Sequence, residues 1–66
     1  MNIILNGEEK QFPEQMSIKD LIKILEIESE KIAIEINGVI TPKSEYENYN
    51  INHKDKIEII NAVGGG

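Results

Sequence analysis

The last three residues of this 66-residue chain, Gly64-Gly65-Gly66, offer a kind of chemistry that its side chains do not. Glycine has nothing to pack and loses the most backbone entropy on ordering. Fixing each residue costs about 1–2 kcal/mol, so the sequence predicts a tail that is free in solution. A strand without Cβ atoms can thread a narrow channel, and three such residues reach at most ~11 Å. What they would present there is the carboxylate of Gly66. Carried on such a thread, that carboxylate can be presented deep inside another enzyme. A frayed end without purpose is the plainer account of any terminus. Glycines that follow an apolar strand so closely, with no spacer to serve as a linker, argue for a probe instead.

The remaining reactive side chains form no site. His53 is the single histidine, and Asp55 stands two residues on. A metal centre needs several converging ligands, and no third is near in sequence. The polar stretch around them reads as a solvated turn. Ser17, Ser29 and Ser44 stand in no nucleophile motif and read as caps and turn residues. Cysteine is absent, so disulfides and thiolate metal sites are excluded. With no catalytic constellation, the chain is expected to be a substrate of other enzymes and not an enzyme. No metal site is expected.

Twelve acidic residues against seven lysines give a net charge of −5. Nucleic-acid phosphates and anionic membranes repel such a surface. A protein with a basic docking face is the easier partner. No segment approaches membrane-spanning length, no signal peptide is evident, and the lack of cysteine is compatible with a cytoplasmic location.

The elements that must carry the tail are legible from periodicity. Asn2–Leu5 alternates as a strand, with Ile3 and Leu5 on one face and Ile4 on the other. Asn6-Gly7 is a hairpin signal, because a type I′ turn needs positive φ at both central residues. The return strand covers about Glu8 to Phe12 and ends at Pro13. Ser17 reads as a helix N-cap, with Asp20 at the positive helix end. Ile18, Leu21, Ile22 and Leu25 form one apolar stripe on a helix over 18–26. Ile32, Ile34 and Ile36 make a half-buried strand, Asn37-Gly38 a second hairpin turn, and Val39-Ile40 a short return cut off by Pro42. A helical turn is expected within Ser44–Asn48, and Tyr49 and Ile51 anchor the polar segment that follows. The last strand is 56–61. It carries apolar residues on both faces and must lie centrally, beside the first strand and parallel to it. The fold class is α+β, a β-grasp: one main helix across one face of a mixed sheet. Residues 1–62 form the domain and residues 63–66 the flexible tail.

If Ile3, Leu5, Ile57 and Ile59 face the helix, Ile4 and Ile60 face away. Together with Glu58 and Val63 they make a candidate docking patch beside the tail.

Several of these features together resemble the ThiS family, the sulfur carriers of thiamin biosynthesis with a ubiquitin-like β-grasp fold. They are Asn6-Gly7, Ser17 at the helix start, Ala33-Ile34-Glu35-Ile36-Asn37-Gly38, Pro42-Lys43, Asp55 through Ile60, and Val63-Gly64-Gly65-Gly66. The likeness extends over the whole chain. It implies that a ThiF-like adenylating enzyme uses ATP and Mg²⁺ to convert the Gly66 carboxylate to an acyl-adenylate, with Gly64 and Gly65 threading its channel. A persulfide sulfur donor then displaces AMP and leaves a thiocarboxylate, and a ThiG-like thiazole synthase takes the sulfur. The carrier itself binds no cofactor in this scheme. One departure is Lys54, where the family often has glycine. If that position takes positive φ, Lys54 is strained there. Sulfur carriers of molybdopterin synthesis or tRNA thiolation, and a β-grasp binding module, share enough of the pattern to stand as alternatives.

Overall fold

The computed structural model describes residues 1–13 and 15–61. The strands are β1 (Asn2–Leu5), β2 (Glu8–Gln11), β3 (Ile32–Ile36), β4 (Val39–Thr41) and β5 (Lys56–Asn61), and the main helix is α1 (Ile18–Leu25). Short 3₁₀ turns occupy Ser29–Lys31 and Lys43–Glu45. The five strands form one sheet in the order β2-β1-β5-β3-β4. β5 is central, parallel to β1 and antiparallel to β3.

Each hairpin turns where Asn-Gly predicts it. Asn6 and Gly7 have φ of 50° and 82°, and Asn37 and Gly38 have 53° and 87°. These are the paired positive values of a type I′ turn. The Phe12 N–H continues the first hairpin by donating to the Met1 carbonyl at 2.8 Å.

α1 starts at Ser17, whose Oγ accepts from the Asp20 N–H at 3.1 Å. The Asp20 carboxylate accepts from the Ser17 N–H in return, also at 3.1 Å, closing a capping box. The bond from the Ser17 N–H, then the Ser17 side chain, holds the Asp20 carboxyl below its ordinary value, and the charges of Lys23 and Lys19 add to the effect. A lowered carboxylate stabilises above its unfolded pKa, and that contribution is lost as pH falls through the folded value.

Three residues of the helix stripe, Ile18, Leu21 and Ile22, are buried against Ile3, Ile34 and Ile57 from three adjacent strands. Burying each such side chain is worth about 1.5–3 kcal/mol. Leu25, the fourth of the stripe, is 36% exposed in the last turn, where Glu26 caps the helix in the left-handed region. The expected helical turn near Ser44 begins one residue earlier, at Lys43. Ile51 is fully buried, and Tyr49 packs against the core edge.

Candidate functional site

Two asparagines steer β5, the strand from which the C-terminal segment departs. Asn6 Oδ1 accepts from the Ile59 N–H at 2.7 Å. Asn37 Oδ1 accepts from the Lys56 N–H at 3.0 Å. Both turn side chains therefore reach across to the strand that β1 and β3 enclose. β1 pairs with β5 only through Ile4 and Leu5, whereas β3 pairs along it to Asn61. The far end of β5 thus projects past the first hairpin. Val63, Gly64, Gly65 and Gly66, the predicted tail, lie outside the described residues, as does the expected domain boundary at 62.

The helix covers one sheet face and leaves the other open. Glu58 and Ile60 are exposed on the open side. Register places Ile60 opposite Ala33, and Glu58 opposite Glu35, which in turn lies opposite Ile40 of β4. Ile60 is 42% exposed and Ile40 57%. The patch beside the end of β5 is therefore Ile60, Ala33 and Ile40 around a cross-strand pair of glutamates. Like charges directly opposite are unfavourable in a sheet, and neither glutamate belongs to an ion pair among the described residues.

Ile4 lies on the same open face at the level where β5 begins. It pairs with Lys56 on one side and Glu9 on the other. Four residues of β5 separate that level from Ile60, about 13 Å at the rise of a strand. Ile4 is half-buried and lines a separate groove with Asn2 and Lys54. Ile4 and Ile60 face the same open side of the sheet, at opposite ends of β5. Ala33, Glu35 and Ile40 were missing from the candidate patch. Their alternation was visible in the sequence, but their position opposite β5 depends on a pairing between strands that are distant in the chain.

His53 and Asp55 also differ from expectation. His53 Nδ1 accepts from the Asn2 N–H at 3.0 Å, tying the loop to the start of β1. Asp55 is not a solvated turn residue. It is 7% exposed, and its carboxylate accepts from Asn37 Nδ2 (3.0 Å), the Tyr49 hydroxyl (3.1 Å) and the Asn52 N–H (2.9 Å). Burial, then the hydrogen bond and the charge of Asp55, push the Tyr49 phenol up. The two residues point to different partners, and no group of three metal-ligating side chains occurs among the described residues.

Lys54 has φ of 73°, with its N–H donated to the Asn2 carbonyl. A side chain in the left-handed region costs about 1–2 kcal/mol. Glycine would remove that strain but adds unfolded-state entropy of about 0.4–1 kcal/mol. Lys54→Gly is therefore expected to stabilise the domain by about 0.5–1 kcal/mol, a rise of ~3–6 °C in Tm for a domain this small. A calorimetric Tm that stays put or falls would refute this account of the turn.

A five-stranded mixed sheet, with a parallel central pair and one helix laid across it, defines the ubiquitin-like β-grasp class. A model of the ThiS family matches residues 3–66, and the chain belongs to that family. It is 41% identical over 66 residues to a thiazole synthase of Paramagnetospirillum magneticum, covering all of this chain but only 20% of that protein's length. It is 42% identical to an uncharacterized protein, ycf40, of Porphyra purpurea, covering 100% of this chain and 93% of that one. Among solved structures, it is similar to the crystal structure of a thiamine biosynthesis protein (ThiS) from Geobacter metallireducens. That match has a TM-score of 0.87 at 23% identity and covers both chains in full. At that identity, the structural likeness supports the fold.

Proposed function

We propose that this chain is a sulfur carrier of thiamin biosynthesis, modified at the Gly66 carboxylate. The observation that carries this reading is the family match, which runs through the terminal glycines to residue 66. The thiazole synthase relative, which contains a segment like this chain, fits the same setting.

In the proposed sequence, a Gly66 carboxylate oxygen attacks the α-phosphorus of ATP on a ThiF-like partner that supplies Mg²⁺. Pyrophosphate leaves, and an acyl-adenylate remains. The terminal sulfur of a persulfide donor attacks the carbonyl carbon, and the bond to AMP breaks. A second thiol cleaves the resulting S–S bond, is itself oxidised to a disulfide, and releases the thiocarboxylate. A ThiG-like thiazole synthase consumes that sulfur. The carrier's own residues provide presentation. Asn6 and Asn37 hold β5 in place, and β5 aims the tail. On the open face, Ile60 and Ile40 supply apolar contact, and Glu35 with Glu58 meets a basic partner group. Val63, outside the described residues, is assigned to the same docking contact. We place the carrier in the cytoplasm, and no helix among the described residues is long and apolar enough to cross a membrane.

Intact mass tests the proposal. Incubation with the adenylating enzyme, ATP and a persulfide source is expected to add about 16 Da, one oxygen replaced by sulfur. Fragmentation must place the increment at Gly66, because oxidation of Met1 or Met16 adds nearly the same mass. An unchanged terminal fragment in the presence of a competent enzyme would end the proposal.

A further inference from the structure

On the helix side of the sheet, α1 and the 3₁₀ turn Lys43–Glu45 border an open groove of about 370 Å³. Lys19, Lys23 and Lys43 line it, with Ile22 and Ile27 beside them. Three of the chain's seven lysines thus converge on one groove of a protein with net charge −5. One carboxylate, Glu47, pairs with Lys19 at 3.6 Å. Lys23 and Lys43 form no ion pair within 4 Å among the described residues, although the Asp20 carboxylate one helical turn back feels the charge of Lys23. Lys19 and Lys23 also stand four apart on the helix, a spacing at which like charges repel.

The groove walls are fixed to each other. The Lys19 N–H donates to the Tyr46 carbonyl at 2.9 Å and the Ile18 N–H to the Tyr49 carbonyl at 3.1 Å. The ammonium groups therefore project from elements whose separation is set by backbone hydrogen bonds.

We propose that this groove docks an acidic segment of a partner protein, one with a large apolar side chain between carboxylates. The apolar side chain seats against the partly buried Ile27, above the core residue Ile22, and the carboxylates meet Lys23 and Lys43. Charge complementarity and the apolar floor select this occupant together. A simple phosphate would use the lysines and leave the floor uncovered. The groove and the open sheet face lie on opposite sides of the sheet, so both can be occupied at once. The inference does not depend on chemistry at Gly66.

The test is a titration of the ¹⁵N-labelled full chain with a short synthetic peptide of glutamates flanking a leucine and a phenylalanine. Saturable amide shifts are expected around Lys19, Lys23, Ser29 and Lys43, weakening with added salt. Lys23→Glu with Lys43→Glu is expected to weaken binding about tenfold or more, the scale of lost complementary charge at an interface. Lys10→Glu with Lys56→Glu changes net charge equally, away from the groove, and is expected to weaken it far less. All four lysines are exposed, and the melting temperature of each variant checks that it folds. Absence of saturation, equal losses in the two double variants, or complete displacement by inorganic phosphate would each overturn the proposal.

Discussion

Deleting Gly65 and Gly66 is expected to abolish adenylation of the chain, with at least a 10³-fold loss in ATP–pyrophosphate exchange. Each extended residue contributes up to ~3.6 Å of reach, so the deletion withdraws the carboxylate by about 7 Å. A misplacement of 1 Å at a reacting centre can already cost about 10²-fold. The carboxylate of the shortened chain would still exist, but outside the reach of the activating site. Amidation of Gly66 is expected to be equally severe, because it removes the attacking oxygen while keeping the length. Both variants should melt with the parent chain, since the described core is built from residues between Ile3 and Ile57. Exchange within tenfold of the parent's would show that the reacting group lies elsewhere.

The second large effect concerns stability. Asp55→Ala is expected to cost about 3 kcal/mol and lower Tm by ~12–24 °C. The carboxylate accepts three hydrogen bonds in a nearly buried position. Bonds to a charged group contribute about 1.5–3 kcal/mol each, and a donor left buried without a partner costs about 1–3 kcal/mol. The three are not additive, because they share one acceptor group. Each kilocalorie moves Tm by about 4–8 °C in a domain of this size. The loss should also loosen β5, because Asn37 joins Asp55 through Nδ2 and the Lys56 N–H through Oδ1. Hydrogen exchange at Lys56 and Ile57 is therefore expected to accelerate together with the drop in Tm. A drop below about 1 kcal/mol in chemical denaturation would show that Asp55 is not the hub described here.

Local signals were reliable where the physics was local. Both Asn-Gly pairs adopt the positive φ that their turn type demands. Ser17 caps the helix, and the apolar stripe finds the core through Ile18, Leu21 and Ile22. The central, parallel placement of β5 followed from its apolar residues on both faces. Lys54 in the left-handed region was legible only through the family's usual glycine.

Side-chain partnerships across the sheet were not legible. Nothing near Asp55 announces Asn37, which lies 18 positions away. Nothing near Asn6 announces Ile59, 53 positions on. The separation of Ile4 from Ile60 depends on a register in which Ile4 lies level with Lys56.

By itself, then, the amino-acid order determined the elements, the turns and the buried faces of β1, α1 and β3. Those follow from periodicities and dihedral preferences that act within a few residues. Tertiary structure alone decided that Asp55 is a buried hub, that Ala33, Glu35 and Ile40 share the open face with Ile60, and that three lysines share a groove. Register and packing set those distances, and they arise only when segments far apart in the chain are brought into contact.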